Sequence, residues 1–384
     1  MHRLALIRRG TMSWVGISYV VRRTSYVLTA GSLLAFTPQD PAVKIWQMPG
    51  AEGGAPRIQI MQNMERLDPP KLSPKHKWVF EWVCSGLGRT SEAENQFNLR
   101  IRVFAQQQKS LNDPGPLVAR MAMRLWDYNV RKLNMPHKEM YDHGRVHFYL
   151  CFGGEAGGEQ LFDEDEEAGI AKRVNTIYIY QIQNIKNPVE LAREVAHEYG
   201  HATLPPVGGF KEPEDWANGY LGEKLYMSYL RDELKAKRLG TDDAMGATAE
   251  QLDAFVKREI DPLAARVALN GPDMSQLVGT GPAAMNAYLG LALYANDILQ
   301  PRAFARSLLL TGSTNAQDYP AAIILALSEL ETYVVPQPAY TEGKDFWIPI
   351  GKGKLASGAT EIKRSGDWAL VRPLAGAIRI NNPK

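Results

Sequence analysis

The most specific chemistry in the sequence lies in five consecutive residues, His197-Glu198-Tyr199-Gly200-His201. Two histidines four apart on a helix project from one face, so both imidazoles can reach a single metal ion. Glu198 projects beside them, where its carboxylate can take a proton from a water on that metal. A zinc ion lowers the pKa of such a water to about 7, which makes hydroxide available at neutral pH. The flanking Val189, Leu191, Ala192, Val195 and Ala196 are apolar, which predicts a buried helix. Two buried histidines and a glutamate need a common partner, and Zn2+ is the expected cofactor.

A hydrolytic zinc site needs a third protein ligand and one open position. Val207 stands six residues after His201, and Leu204 stands where a turn glycine would be, which excludes a third histidine at that spacing. Two carboxylates compete instead. Glu214 lies thirteen residues past His201, in the expected first turn of the next helix, and Glu223 lies twenty-two past it. Nine helical residues turn through about 900°, so on a regular helix the two point opposite ways and only one can ligate. Glu214 would share its face with Asn218, an amide suited to hydrogen-bond a ligand histidine from behind. Periodicity leaves both carboxylates open. Tyr220, Tyr226 and Tyr229 follow as candidate transition-state stabilisers, with nothing in the spacing to select one.

The elements that must hold these residues are legible in outline. Asn187 is a good N-cap, Pro188 suits the first helical position, and Glu190 can reach back as in a capping box. That helix is predicted to end at Leu204, before Pro205-Pro206. Period-two alternation predicts strands from Lys77, over 97–103, at 146–152 and from Val174 to Ile182. Between them, a helix follows Asp113-Pro114 through about Leu133. Helical patterns cover 220–237, 249–267, 282–299 and 319–333, and period two returns from Tyr340. The expected fold class is α+β: a mixed half over 58–213 carrying the motif helix, a helical half over 214–338, and a small β segment over 339–384.

Composition narrows the function classes. The 384 residues are 45% hydrophobic and 22% charged, enough to bury a sizeable core. Lys plus Arg is 44 against 42 for Asp plus Glu, so no polybasic surface for nucleic acid is expected. Cys84 and Cys151 are the only cysteines, which excludes cysteine-based zinc fingers and disulfide-stapled minifolds. Arg3, Arg8, Arg9, Arg22 and Arg23 precede an uncharged stretch from Thr24 to Phe36. Residues 1–36 therefore read as an export signal or anchor, too short in its apolar part to span a bilayer, which takes about 20 residues. Residues 37–57 read as a linker, and the protein is expected outside the cytoplasm. The acidic run Asp163-Glu164-Asp165-Glu166-Glu167 lacks the spaced ligands of a calcium loop and reads as a solvated loop.

A strand, a His-Glu-x-x-His helix and a following ligand-bearing helix resemble the gluzincin clan of zinc metallopeptidases. The run from His197 to Met227 also resembles the ImmA/IrrE-like metallopeptidases, in which Glu-x-x-Ala-Asn and an aromatic follow the second histidine. Glu214, Ala217, Asn218, Tyr220 and Leu225 match that pattern. The resemblance implies a zincin-like fold, Glu214 as third ligand, and a peptide or protein as substrate. In a gluzincin-like fold Val174 to Ile182 would be the sheet edge, to which an extended peptide can add. The matching run is short, and no DNA-binding partner domain is visible, so a regulatory role does not carry over. Peptidases with a Trp-x-x-Glu-Gly ligand helix align less well, placing Gly219 at the ligand position and Glu223 one turn later. Two other readings share the sequence: a surface binding or scaffold protein on a zincin fold, and a zinc amidase acting on a non-peptide linkage.

Overall fold

Alternate residues on three adjacent strands build the centre of the protein. Ile101 and Val103, then Val146, Phe148 and Leu150, then Ile177 and Ile179 present one buried face. Phe104, Tyr149, Cys151, Tyr178 and Tyr180 present the other. Strands buried on both sides suit parallel pairing, because both faces must be covered. The computed structural model describes residues 43–47, 57–67, 80–88, 98–106, 114–135, 146–165, 172–311 and 315–383. The segment read as an export signal lies outside them, as do Lys77 and the end of the acidic run, Glu166-Glu167.

The N-terminal sheet contains β1 (Val43–Gln47), β2 (Arg57–Leu67), β3 (Phe80–Gly88), β4 (Asn98–Gln106), β5 (Val146–Leu150), β6 (Gly157–Asp165) and β7 (Lys172–Tyr180), in the order β1-β2-β3-β4-β5-β7-β6. The first four strands run antiparallel, β4, β5 and β7 are parallel, and β6 returns antiparallel to β7. Strand β1 falls inside the stretch read as a linker. Helix α1 (Pro114–Asp127), continued by a π-helical turn over Tyr128–Lys132, and α2 (Pro188–Thr203) cover one face. Phe148 of β5 stacks on Tyr199 of α2 with ring centroids 6.4 Å apart.

The sheet corrects two expectations. Val174 to Ile182 is not an edge, because β7 lies between β5 and β6. Among the described residues the edge on this side is β6, which begins at Gly157-Gly158. Asp163, Glu164 and Asp165 close that strand instead of forming a loop, with Glu164 opposite Arg173 and Asp165 opposite Lys172. An edge strand with a glycine start and an acidic end has little apolar alternation, which hid it.

The helical middle runs through α3 (Asn218–Lys235), α4 (Ala249–Glu259), α5 (Asp261–Asn270), α6 (Met274–Leu277), α7 (Pro282–Ile298), α8 (Pro301–Leu310) and α9 (Tyr319–Ser328). The pattern over 249–267 is two helices, since Pro262 at the start of α5 cannot continue the α4 hydrogen-bond ladder. The terminal β unit begins earlier than expected, at β8 (Thr332–Val335). With β9 (Phe346–Pro349), β10 (Lys354–Ser357), β11 (Ala359–Ser365), β12 (Trp368–Pro373) and β13 (Ile378–Asn381) it forms two antiparallel sheets, β10-β13-β8 and β11-β12-β9. Trp347 and Trp368 are buried in this unit, and the Tyr294 hydroxyl of α7 donates to the Trp347 carbonyl. Among the described residues, no helix is long and apolar enough to cross a membrane.

Helices α2 and α3 approach closely because two glycines meet. A Cβ on Gly222 would lie 2.4 Å from the Gly200 Cα, and one on Gly200 would lie 2.5 Å from the Asn218 carbonyl oxygen. Backbone stands in the way in both cases, so the helices must separate to admit a methyl group. Overpacking of this kind costs about 1–3 kcal/mol. Gly222→Ala is expected to lower the denaturant midpoint accordingly, and an unchanged midpoint in urea unfolding would contradict the close crossing.

Candidate metal centre

The sequence folds α2 as expected at its start. Asn187 caps it, its side chain accepting from the Val189 N–H at 2.9 Å, with Pro188 in the first turn. Glu190 does not reach back; it accepts from Arg193 Nη1 at 2.5 Å. One turn later His197 and His201 sit on one face with their Nε2 atoms 3.1 Å apart. Glu214 completes the group, Oε1 lying 3.0 Å from His197 Nε2 and Oε2 3.2 Å from His201 Nε2. The three residues offer ligand atoms within 4.8 Å of one another, a cluster that could hold a metal ion. Donors about 2.1 Å from a common centre at tetrahedral angles stand about 3.4 Å apart, a little wider than these spacings.

Glu214 is not in a helical turn. It lies in the irregular stretch before α3, which begins at Asn218. An antiparallel bridge between Gly208 and Trp216 and a hydrogen bond from the Ala217 N–H to the Val207 carbonyl (2.8 Å) fix that stretch. The helical-face comparison of Glu214 with Glu223 therefore does not apply. The loop frees Glu214 to approach the Nε2 side, while Glu223 approaches His197 from the opposite ring nitrogen, 3.6 Å from Nδ1.

Behind each histidine stands one residue of α3. Asn218, 5% exposed, places Oδ1 3.0 Å from His201 Nδ1. Its Nδ2 donates to the carbonyls of His201 (3.2 Å) and Leu204 (3.4 Å), which fixes the amide orientation and satisfies the end of α2. With Nδ1–H donating to Asn218, His201 turns its Nε2 lone pair toward the cluster. Glu223, 3% exposed, faces His197 and is itself held by Arg193 Nε at 3.3 Å and Lys224 Nζ at 3.4 Å. The Arg193 guanidinium rests over the Phe255 ring at 5.4 Å. A carboxylate behind a ligand imidazole orients the ring and raises its basicity.

The electrostatics describe a site built for a cation. Burial works against the His197 charge, but Glu214 at 3.0 Å and the Glu223 carboxylate at 3.6 Å hold the imidazole up at about 10. Burial opposes charge on Glu214 too, yet His197 and His201 bring its carboxyl down to about 2. Glu223 falls to about 2 against the same burial, through His197, Lys224 and Arg193. Glu198 differs: burial raises its carboxyl to about 8, with the His197 charge opposing. It is 4% exposed, and Oε2 has no hydrogen-bond partner among the described residues.

Glycines make the room. A Cβ at Gly219 would lie 2.2 Å from His201 Nε2 and 2.6 Å from His197 Nε2, so the first turn of α3 lies against the cluster as bare backbone. A Cβ at Gly158 would lie 2.5 Å from Glu198 Oε1, which seats that carboxylate against edge strand β6. Neither glycine, nor Arg193 and Lys224, stood out in the sequence; the signal available was the run Gly219-x-x-Gly222 one helix after Gly200. His147 is buried in β5 against Phe104, and Phe210 is core, packed on Tyr288. No protein-family model and no curated protein sequence matches the chain, so its chemistry is read from these residues.

Two outcomes follow from the geometry. Glu214→Ala is expected to abolish metal binding, whereas Glu223→Ala weakens it about 10–100-fold, as loss of an outer partner does; metal titration with a chromophoric chelator reads both, and the reverse ranking would make Glu223 the ligand. The pH dependence has a definite sign. A metal must displace the His197 proton, which is bound below pH 10 in the metal-free protein. Affinity should therefore rise about tenfold per pH unit for each proton displaced, from pH 6 to 8. A flat calorimetric profile over that range would mean that His197 is neutral before the metal arrives.

Proposed function

We propose that the protein is a zinc-dependent peptidase of the gluzincin type, with His197, His201 and Glu214 as the zinc ligands and Glu198 as general base. The observation that carries this reading is the juxtaposition of ligand atoms from three residues, with contacts of 3.0–3.2 Å between them, and a buried carboxylate whose Oε2 has no partner among the described residues. The donor set fits zinc, which takes two imidazoles and a carboxylate with one position left for water. When bound there, zinc acidifies that water and polarises a substrate carbonyl.

The rest belongs to the chain. Glu198 takes a proton from the attacking water and passes it to the leaving amine, so that one water is consumed and one amide bond breaks. A carboxyl raised toward neutrality by burial suits both halves of that transfer, because it neither holds nor releases its proton too firmly. Asn218 and Glu223 keep the imidazoles oriented throughout.

Edge strand β6 gives the substrate its bed. Among the described residues it pairs with β7 on one side only, and Gly158 on it lies against Glu198. An extended peptide adding to β6 by main-chain hydrogen bonds would pass its backbone across that carboxylate. We extend the proposal to export, on the arginines and the uncharged Thr24–Phe36 stretch at the N-terminal end of the sequence.

Glu198→Gln keeps the side-chain shape and removes the base. It should retain zinc by elemental analysis and lose hydrolysis of a peptide library by about 10²–10⁴-fold. Undiminished hydrolysis in that variant would sink the mechanism.

A further inference from the structure

Helix α2 carries one more carboxylate on the face of the general base. Glu194 stands three residues before His197 and four before Glu198. Those steps turn through about 300° and about 400°, so down the helix axis Glu194 projects between the two. The residue is half-buried, and among the described residues its side chain makes no hydrogen bond or ion pair. The cations of that corner are already engaged. Arg193 reaches Glu190 at 2.5 Å and Glu223 at 3.3 Å, and Lys224 reaches Glu223 at 3.4 Å. Burial raises the Glu194 carboxyl above its usual range; the His197 and Arg193 charges oppose that rise, and Glu223 and Glu214 add to it.

The register of β6 against α2 fixes where this carboxylate stands along the edge strand. Gly158 lies against Glu198. Two residues further on, Gln160 donates to Asn175 Oδ1 (2.9 Å), and Asn175 Nδ2 donates to the carbonyl of Ala202 (2.7 Å), one turn beyond Glu198 on α2. Strand and helix therefore advance together, two strand residues covering about 6.8 Å and four helical ones about 6 Å. Carried back one turn, the same register sets Glu194 beside the chain just ahead of Gly157, where β6 begins. A peptide laid on β6 with its scissile bond at Glu198 would bring a residue one or two positions from that bond alongside Glu194.

We propose that Glu194 selects the substrate: its carboxylate pairs with a cationic group, an ammonium or a guanidinium, carried within two residues of the scissile bond. A lysine or arginine side chain supplies such a group, and so does a free N-terminus. The inference rests on the peptidase reading above and gives it a substrate class, peptides that are positively charged beside the cleaved bond. A half-buried carboxylate that holds no cation of its own gains more from such a pair than an exposed one, because less water screens it.

Zinc content and kcat/KM are measured for wild type, Glu194→Gln and Glu194→Lys. The peptides carry lysine, norleucine or glutamate at each of the two positions on either side of the cleaved bond, with the N-terminus acetylated or free. Wild type should favour a cationic peptide over its neutral match by about 10–100-fold, the range of a hydrogen bond to a charged group. A preference for lysine that survives acetylation comes from the side chain; a preference for the free over the acetylated N-terminus comes from the α-ammonium. Either preference should vanish in Glu194→Gln and turn toward glutamate in Glu194→Lys. Wild type indifferent to both charges, or a preference that persists in zinc-loaded Glu194→Gln, overturns the role of Glu194 and leaves the peptidase reading standing. Loss of zinc from both variants also overturns it, by making Glu194 a support for the metal site. If zinc-loaded wild type cleaves no peptide, the peptidase reading itself fails and takes this inference with it.

Discussion

The contact between Gly200 and Gly222 sets the distance between α2 and α3, and the His197-His201-Glu214 cluster depends on that distance. Helices normally pack 8–10 Å apart, with side chains between them. Here the side chains are absent at the crossing, so α3 presents backbone at Gly219 to the two Nε2 atoms. The same approach puts Asn218 behind His201 and Glu223 behind His197. Each imidazole is thereby gripped from its far nitrogen by the helix that also closes over its near one. Wider separation would remove both partners at once.

Charge explains why such a crossing is worth its loss of side-chain packing. Glu223 stays ionised although buried, as does the half-buried Glu214, and in the metal-free protein the positive charge that balances them sits on His197, Arg193 and Lys224. A buried carboxylate without such a partner would cost several kcal/mol. A divalent ion in place of the His197 proton meets the same carboxylates with more charge, at the point where the donor atoms converge. Glu198 lies outside this compensated set, against Gly158, and its carboxyl stays near neutrality for that reason. Glu198 is thus held far from Glu214 and Glu223 in its titration by their different surroundings.

How much of this was legible depended on the range of the interaction that decides it. His197 and His201 were legible because helix periodicity alone puts them on one face with Glu198 beside them, and the cap at Asn187 starts that helix in isolation. Asn218 was legible as a partner for a ligand histidine on spacing and chemistry. Glu214 was singled out for the wrong local structure: a loop held by the Gly208–Trp216 bridge carries it, and a pairing between separated segments leaves no local period. Glu223 was read as a rival ligand because sequence does not say which imidazole nitrogen a carboxylate will meet. The α+β class and the helical middle followed from periodicity, whereas edge strand β6, glycine-led and acid-ended, has almost none. Gly158 and Gly219 acquire meaning only once their neighbours in space are known.

X-ray absorption at the zinc edge, on protein expressed and purified with zinc, bears most directly on whether these residues form a metal centre. The account predicts one zinc per chain in a first shell of two imidazole nitrogens and oxygen donors at about 2.0–2.2 Å, with no sulfur. A folded protein that takes up no zinc, or a shell with sulfur or with one imidazole only, would contradict it.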